Sequence, residues 1–271
     1  MKIMMIGDIV ARPGRNLIID QLKNYRQKHN IDWVIANGEN LAGGIGITKK
    51  TMTDMLEAGV DVITSGNHIF KKEEAQEILN NKKSKVLRPA NYPPSVPGAG
   101  WKLFENDLGH RIVVINLIGR VFFRENFDCP FRTVDQILKN EMKSEGIELN
   151  QIDAIVVDFH AEATGEKMAL ANYLDGRVSV LAGTHTHVAT ADEKILPNGT
   201  AYVSDLGMAG LVDSNLGVDK NAVISQFLTQ LPKKFVWKTL GPAKATGVVL
   251  NLKRGSIKPL SIKRFFLQND Y

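Results

Sequence analysis

Cysteine is almost absent from this sequence, which contains one cysteine among 271 residues. Cys129 therefore cannot form a disulfide bond within the chain, and a reducing compartment is predicted. Long apolar runs are also missing, because no stretch approaches the roughly 18 consecutive apolar residues of a membrane span. The apolar run at the N-terminus is too short for a signal peptide. We therefore expect a soluble, cytoplasmic protein with no membrane partner.

The sequence is also poor in aromatic residues and carries only a modest charge. Aromatic residues make up 7% of the chain, and the formal net charge is +5. Proteins that bind nucleic acid in a groove interleave basic and aromatic residues, and this pattern is not seen here. We expect no stable nucleic-acid complex. A mild basic excess instead suits a small anionic ligand.

The first half of the chain alternates short apolar runs with amphipathic segments. Buried strands are predicted at residues 3–6, 33–36 and 60–63, and Thr48 is predicted to cap a helix between the last two. Residues 71–80 predict a polar, exposed helix. Strands that alternate with helices indicate an α/β fold with a largely parallel sheet.

The second half predicts further strands and helices but no repeat and no linker. We therefore predict a single domain over residues 1–271, an α/β fold of two packed mixed β-sheets flanked by helices in four layers. The further predicted elements are a hairpin with strands at 101–105 and 111–117, a helix at 132–142, strands at 152–157 and 178–182, and a hairpin around 253–256.

Polar residues gather in five short segments, each of which directly follows a predicted strand. Ligands of α/β proteins bind at the carboxyl ends of the strands, so segments far apart in sequence can meet along one sheet edge. The segments are Gly7-Asp8, Gly38-Glu39-Asn40, Gly66-Asn67-His68, Asp158-Phe159-His160 and Gly183-Thr184-His185-Thr186-His187.

Four of the six histidines lie in these segments, whereas His29 and His110 are predicted to be solvated surface residues. In an extended segment alternate residues point to one side, so His185 and His187 can face the same cavity. Imidazole suits transition metals, and carboxylate and amide oxygens suit harder ions. The donor set is too large for one tetrahedral zinc. It fits two adjacent ions that share a carboxylate ligand.

This ordered set of motifs resembles the calcineurin-type metallophosphoesterases and, more closely, their YmdB-like branch of 2′,3′-cyclic-nucleotide 2′-phosphodiesterases. The resemblance covers essentially the whole chain and includes residues 7–10, 36–40, 42–44, 65–68 and 158–162. Val10 stands where the broad family has histidine, and Glu39 replaces its bridging aspartate. Both departures are typical of the YmdB-like branch. Thr184 is inserted in the Gly-His-x-His motif of the broad family.

The resemblance implies a dinuclear-metal phosphodiesterase for 2′,3′-cyclic nucleotides or similar small phosphodiesters. A hydroxide shared by the two ions would attack phosphorus, and His68 would protonate the leaving oxygen. The resemblance suggests iron, with manganese as a substitute, and the ligand types also permit zinc. The implied ligands of one ion are Asp8, Glu39, Asn40 and His187, and those of the other are Glu39, Asn67, His160 and His185.

Several alternatives stay open at this point. The same site could serve a general phosphomonoesterase or a nuclease, or the metal could stabilise a regulatory or scaffold protein. A homo-oligomer is also left open. Asp158 and Glu162 either orient the ligand imidazoles or are solvated carboxylates. Arg12, Arg15 and Lys49 either contact a substrate phosphate or carry ordinary surface charge. The glycines at 43–46 predict an active-site rim, since they lack the ending of a P-loop.

Overall fold

The structure is a computed structural model, and it describes residues 1–233 and 235–269. Two β-sheets pack face to face, and helices cover their outer faces. The strands are β1 (Lys2–Ile6), β2 (Asp8–Ile9), β3 (Trp33–Asn37), β4 (Val62–Thr64), β5 (Trp101–Glu105), β6 (Arg111–Ile118), β7 (Ala154–His160), β8 (Val180–Thr184), β9 (Lys194–Ile195), β10 (Ala201–Val203), β11 (Met208–Leu211), β12 (Ala243–Leu252) and β13 (Pro259–Gln268).

Both sheets are mixed, as predicted. The first has seven strands in the order β2-β11-β12-β1-β3-β4, with β13 beside β12. Its strand β1 runs parallel to β3 and antiparallel to β12. The second has six strands in the order β5-β6-β7-β8-β10-β9, and β6, β7 and β8 are parallel. The predicted α/β fold class is confirmed.

Seven α-helices lie among the described residues, together with short 3-10 turns at Ile69–Lys71 and Leu149–Gln151. None of the helices in this part of the chain is long and apolar enough to cross a membrane. The helices are α1 (Ala11–His29), α2 (Lys49–Glu57), α3 (Glu74–Asn80), α4 (Pro130–Gln136), α5 (Met142–Ser144), α6 (Thr164–Tyr173) and α7 (Lys220–Thr229), and a π-helical turn at Ile137–Glu141 joins α4 to α5.

The core is layered because the side chains of each strand alternate between its two faces. In β1, Ile3 and Met5 pack against the second sheet, where they share a buried cluster with Val114 of β6. Met4 and Ile6 point the other way, towards the helices α1, α2 and α3. The second sheet is covered in the same way by α4 and α6. These layers form the predicted four-layer sandwich.

Local predictions were confirmed in several places. The Thr48 side chain caps α2 by accepting a hydrogen bond from the backbone N–H of Thr51. Both predicted hairpins form, from β5 and β6 and from β12 and β13. The helix predicted from 132 begins slightly earlier, at Pro130, where the missing N–H of proline costs nothing.

Other local predictions were wrong in part. The helix predicted over 71–80 begins only at Glu74, and it is not exposed throughout, because Ala75, Ile78 and Leu79 pack into the core from one face. The helix predicted over 132–142 is interrupted by the π-helical turn. Strand β7 continues through His160, since parallel pairing with β6 and β8 extends to this residue. His160 therefore lies at the end of the strand rather than after it.

Candidate metal centre

The predicted site residues lie where strands of the two sheets end at one edge of the sandwich. Asp8 opens β2 directly after β1, and Glu39 and Asn40 follow β3. Asn67 and His68 come after β4. The second sheet contributes His160 at the end of β7, and His185 and His187 after β8. The site is therefore assembled from both sheets.

Glu39 lies at the centre of the cluster and is almost fully buried. Its Oε1 atom accepts a hydrogen bond from Asn40 Nδ2 at 3.1 Å and lies 3.2 Å from His68 Nδ1. Its Oε2 atom lies 3.2 Å from His160 Nε2 and accepts a hydrogen bond from the backbone N–H of His68 at 3.2 Å. The two carboxylate oxygens therefore face different groups of donors.

The missing side chain of Gly66 leaves room for Glu39 and His160 to approach each other. A Cβ atom on this residue would lie 2.3 Å from both Glu39 Oε2 and His160 Nε2. Such distances are far inside van der Waals contact, and neither buried group has room to move away. The glycine before Asn67 and His68 is therefore required by the close approach of the site residues, since its own φ is not left-handed.

The segment after β8 is not extended, so the predicted geometry of the His-x-His pair was wrong. His185 and His187 have φ angles of 101° and 63°, which are left-handed. The bend still brings both imidazoles into the cluster. His185 Nδ1 lies 3.0 Å from His160 Nε2, and His187 Nε2 lies 3.1 Å from Asn40 Nδ2.

Left-handed conformations at histidine are strained and persist only where surrounding contacts hold them. Asp8 Oδ2 accepts a hydrogen bond from the His185 N–H at 3.1 Å, and Asp205 Oδ2 accepts one from the Thr186 N–H at 3.1 Å. Asp205 also forms an ion pair with Lys167, and both side chains are 2% exposed. Neither partner of this pair was predicted, because each is an ordinary charged residue in the sequence.

A buried hydrogen-bond chain orients His160. Its Nδ1 lies 3.0 Å from Thr184 Oγ1, and this hydroxyl donates to Asp158 Oδ1 at 2.7 Å. Because the threonine proton goes to the carboxylate, its oxygen accepts from His160 Nδ1–H. This contact fixes the ring so that Nε2 is the nitrogen that faces the cluster. Asn37 and Thr64 also donate to Asp158.

The two carboxylates predicted to orient imidazoles act differently. Glu162 Oε2 lies 3.0 Å from His185 Nε2 and contacts the imidazole directly. Asp158 reaches His160 only through Thr184. Thr184, the residue inserted in the motif, thus links Asp158 to His160. Asn37 and Thr184 are site residues that were not predicted from the sequence. Asn37 lies in the conspicuous polar run before Glu39, which is a signal that could have identified it.

Burial and mutual charge perturb the ionisation of the cluster. Burial raises the pKa of Asp8 to about 6, against the opposing effect of His187 and His160. Burial also opposes ionisation of Glu39, but the neighbouring imidazoles of His160 and His68 hold the pKa of this carboxyl well below its usual range.

The two facing imidazoles shift in opposite directions. Burial disfavours the charged form of His160, yet Glu39 and Asp8 raise its pKa to about 9. Burial and the charge of His160 lower the pKa of His185 to about 3. His185 is thus held neutral, the form in which an imidazole ligates a metal ion, whereas His160 has to release a proton on binding one.

The residues present fit metal ions. Among the described residues, Asp8 Oδ1 and Asn67 Oδ1 are buried oxygens without a hydrogen-bond partner. Such orphaned acceptors are costly unless a cation or water satisfies them. One ligand atom each from Glu39, His160 and His185 lies within 4.8 Å of the others. Nitrogen and oxygen donors in this mixture suit first-row transition metals.

Two of the three cations for which phosphate contact was left open are engaged elsewhere. Arg15 donates to the carbonyl of Leu41, and Lys49 pairs with Glu77 on α3. Arg12 is exposed at the start of α1. The glycine loop at 43–46 packs against Trp237, since a Cβ on Gly44 would lie 2.1 Å from its ring.

The two histidines outside the cluster differ from each other. His29 is exposed and its ring lies 4.1 Å from that of Tyr25. The prediction that His110 is solvated was wrong, since its side chain is only 13% exposed and lies beside Asp32. The hairpin turn that carries His110 packs onto the end of the first sheet instead of standing free.

Comparison with known proteins assigns this arrangement to a family. A family profile described as YmdB-like protein matches residues 4–265. The chain belongs to the YmdB-like family. It is 40% identical over 273 residues to a Bacillus subtilis (strain 168) protein named 2′,3′-cyclic-nucleotide 2′-phosphodiesterase, and the match spans 100% of this chain and 98% of that protein.

Solved structures agree with the fold of this YmdB-like chain. A Mycoplasma pneumoniae protein described as a novel phosphatase superposes with a TM-score of 0.88 at 31% identity, over 100% of this chain and 94% of that one. The calcineurin-like phosphoesterase YfkN from Bacillus subtilis superposes with a TM-score of 0.57 at 13% identity, over 98% and 90% of the two chains. The second likeness concerns the fold alone.

Proposed function

We propose that this YmdB-like protein is a metal-dependent phosphodiesterase that hydrolyses 2′,3′-cyclic nucleotides or similar small phosphodiesters. The observation that carries the proposal is the position of Glu39, whose Oε1 atom faces Asn40 and whose Oε2 atom faces His160. A carboxylate placed in this way can be shared by two ions. The name of the Bacillus subtilis relative supports the choice of substrate.

Two ions would divide the donor set between them. The contacts of Asn40 with Glu39 and His187 support a first group, to which Asp8 belongs through its 3.7 Å approach to His187. The close approach of Glu39, His160 and His185 supports a second group. The proposed ligands of the first ion are Asp8, Glu39, Asn40 and His187, and those of the second are Glu39, Asn67, His160 and His185.

When bound, two neighbouring ions would supply Lewis-acid stabilisation of the charge that develops on a phosphoryl group during displacement. We propose iron, with manganese or zinc as substitutes, because imidazole and carboxylate ligands accommodate all three. Asp8 and Glu39 would offset the positive charge. The hydrogen-bond chain from Asp158 through Thr184 would keep the ring of His160 in its ligating orientation.

His68 is the proposed proton donor to the leaving oxygen. Its side chain is 29% exposed, whereas Glu39 beside it is buried. His68 Nδ1 faces two acceptors, Asn40 Oδ1 at 3.0 Å and Glu39 Oε1 at 3.2 Å, so it carries a proton. The second nitrogen, Nε2, is then free for substrate. A protonated imidazole held in this orientation can transfer its Nε2 proton as the phosphorus–oxygen bond breaks.

A second candidate function is phosphomonoester hydrolysis at the same site. The observation that favours it is the Mycoplasma pneumoniae structure, since that similar protein is described as a phosphatase. The two activities share their chemistry and differ in substrate. A comparison of 2′,3′-cyclic AMP with adenosine 3′-monophosphate would separate them.

The testing experiment is hydrolysis of 2′,3′-cyclic AMP by protein loaded anaerobically with iron or manganese, with the Glu39→Gln variant as control. We expect turnover that depends on the metal and disappears in the variant. Protein that binds two ions per chain and cleaves adenosine 3′-monophosphate but not the cyclic diester would favour the phosphatase. Protein that cleaves neither substrate would contradict both candidates.

Three broader predictions accompany this function. We propose that the chain acts as one domain, because a single buried cluster joins both sheets. We propose a cytoplasmic location, because the only cysteine, Cys129, is a free thiol. We propose a small phosphodiester as the partner and leave a homo-oligomer as a prediction that light scattering in solution can test.

A further inference from the structure

The loop from residue 119 to residue 129, between β6 and α4, has no part in the chemistry proposed above, yet it begins beside the metal centre. Ile118, the last residue of β6, pairs with His160 at the end of β7. The N–H of Gly119 then donates to the carbonyl of His160 at 2.9 Å. Parallel strand order thus places this loop, which we name the aromatic loop, directly over the second group of metal donors.

Both ends of the aromatic loop are held in place. The backbone N–H groups of Arg120 and Val121 donate to the carboxylate of Glu166, at 2.9 and 3.2 Å. At the other end, Asp128 donates its N–H to the carbonyl of Asn91 at 2.9 Å. The position of the middle of the loop is therefore set by hydrogen bonds at both of its ends.

The aromatic loop contributes a wall of rings to the site. The centroid of the Phe123 ring lies 5.0 Å from that of His185 and 6.4 Å from that of His160. Phe127 meets Phe123 edge-on at 5.9 Å, and Tyr92 packs on Phe127 at 4.8 Å. Phe123 is thus held from behind while it borders the donor cluster.

Phe122 differs from Phe123, because its ring is largely exposed to solvent. Its ring is 83% exposed, and its φ of 68° is left-handed. Both features are unfavourable for a phenylalanine, since burying the ring and relaxing the backbone would each stabilise the fold. A planar apolar ligand over this ring would remove the first cost.

The charges on the loop match a nucleotide. Arg120 and Arg124 flank the two phenylalanines, both are exposed, and neither forms an ion pair within residues 1–233 and 235–269. Free nucleobases stack on aromatic rings irrespective of their identity, and arginine adds a favourable contact to the same stack. The combination of rings and unpaired guanidinium groups beside a phosphoester site therefore fits a nucleobase rather than a purely aliphatic alcohol.

We propose that the aromatic loop is the nucleobase subsite of this enzyme, with Phe122 as the stacking platform and Phe123 as the wall beside His185. This inference rests on the proposed function. It identifies the part of the chain that would distinguish a nucleotide from other small phosphodiesters. The phosphodiester would lie at the metal donors, and the base would extend over the loop.

The test compares 2′,3′-cyclic AMP with glycerol 1,2-cyclic phosphate. Both contain the five-membered cyclic phosphate, but only the nucleotide carries a ribose and a base. The variant is Phe122→Ala, and the control is Phe266→Ala, which removes a ring that is 56% exposed on β13. Metal content and thermal midpoint are measured for each protein, to exclude damage to the site or the fold.

We expect Phe122→Ala to lower kcat/KM for 2′,3′-cyclic AMP by roughly 5- to 100-fold, the range for loss of one base–aromatic stack, mainly through KM. For glycerol 1,2-cyclic phosphate the change should stay within about twofold, because no base is present to lose its stack. The conservative variant Phe122→Trp should retain the preference for the nucleotide. The Phe266→Ala control should behave like the unchanged protein.

Equal losses on both substrates, or no loss on either, would overturn the subsite. Equilibrium binding of both cyclic phosphates to the metal-loaded His68→Asn variant, whose turnover is slowed, tests the subsite with and without Phe122→Ala. If the unchanged protein cleaves neither substrate, the proposed function fails, and this binding comparison still decides the inference. Binding of the nucleotide that is no tighter than binding of the glycerol compound would contradict it.

Discussion

Lys167 and Asp205 form an ion pair that is shut off from solvent, with Nζ 2.7 Å from Oδ2. The same carboxylate oxygen accepts the backbone N–H of Thr186, between the two histidines that bend into the donor cluster. A Cβ on Gly183 would lie 2.8 Å from Lys167 Cδ, so the lysine stem also packs against the end of β8. The pair therefore supports the backbone on which His185 and His187 depend.

Replacement of Lys167 should destabilise the fold. We expect Lys167→Met to lower the free energy of unfolding by about 3–5 kcal/mol, because it leaves the Asp205 charge buried without a partner. The exposed pair of Lys220 and Asp213 provides the control, and Lys220→Met should leave the free energy of unfolding nearly unchanged. Urea denaturation of the metal-free proteins measures both. Equal effects of the two substitutions would refute the supporting role of Lys167.

A methyl group at Gly66 should greatly weaken metal binding. Gly66→Ala places a Cβ 2.3 Å from Glu39 Oε2 and His160 Nε2, so at least one of these donors must move. We expect at least about a 100-fold loss in metal affinity, similar to or beyond the loss of a supporting contact. The matched control is Gly165→Ala on α6, where no atom lies within 4 Å of the added carbon. Metal analysis after dialysis would show the difference, and full metal content in Gly66→Ala would contradict the crowding argument.

The hydroxyl of Thr184 should matter for metal affinity without being a ligand. Thr184→Val keeps the shape but leaves His160 Nδ1 without its acceptor, so the ring loses its fixed orientation. We expect a 10- to 100-fold weaker metal affinity, roughly the usual cost of losing such a contact. Thr53→Val, at an exposed position of α2, is the control. Competition with a metal chelator measures the change, and identical affinities in the two variants would show that the hydrogen-bond chain is dispensable.

Substitution of His68 should slow turnover in a way that depends on the leaving group. His68→Asn should reduce kcat for 2′,3′-cyclic AMP by roughly 10²–10⁴-fold, because an alkoxide leaving group needs a proton. With bis(4-nitrophenyl) phosphate the loss should be much smaller, since nitrophenolate leaves without protonation. Metal content should be retained in this variant. An equal loss on both substrates would argue that His68 positions the site rather than donating a proton.

Acid should weaken the junction between α4 and α6. Burial opposes ionisation of Asp135, but hydrogen bonds from Lys139, Arg177 and Tyr173 outweigh it and hold its pKa well below the usual range. A carboxyl with a lowered folded-state pKa stabilises the fold above its unfolded-state pKa, near 3.9, and this stabilisation is lost as pH falls towards the folded value.

The variant Asp135→Asn tests this dependence. At pH 7 we expect it to lower the free energy of unfolding by about 1 kcal/mol, a modest effect because the contacts are partly open to solvent. The difference from the unchanged protein should shrink below about pH 4, as the aspartate itself becomes protonated. Denaturation at the two pH values provides the comparison, and a difference that does not vary with pH would rule out the carboxylate as its source.

Much of the architecture could be predicted because it depends on local patterns. The alternation of buried side chains in strands such as β1 is visible in the sequence, and so are the cap at Thr48 and the proline that opens α4. Polar residues at strand ends, such as Glu39 and His160, could be assigned to one edge because parallel strands point the same way.

What escaped prediction depends on contacts between distant parts of the chain. The pairing of Lys167 with Asp205 joins residues 38 positions apart, and no local pattern marks either of them. The left-handed backbone at His185 and His187 is imposed by hydrogen bonds to Asp8 and Asp205, so an extended segment was the natural but wrong expectation. His110 is enclosed for a similar reason, since Asp32, whose Oδ1 lies 3.9 Å from its Nδ1, belongs to another part of the fold.

The division of the donors between the two sheets links metal occupancy to the folding of the whole protein. Asp8 and Glu39 belong to one sheet and His160 and His185 to the other, so a bound ion would connect the two halves of the core. An ion that binds only the folded chain stabilises it by about 2.7 kcal/mol at 100 times its dissociation constant. Removal of the metal by a chelator would therefore make unfolding of the two sheets less cooperative. During unfolding of the metal-bound protein, release of the metal would coincide with separation of the sheets.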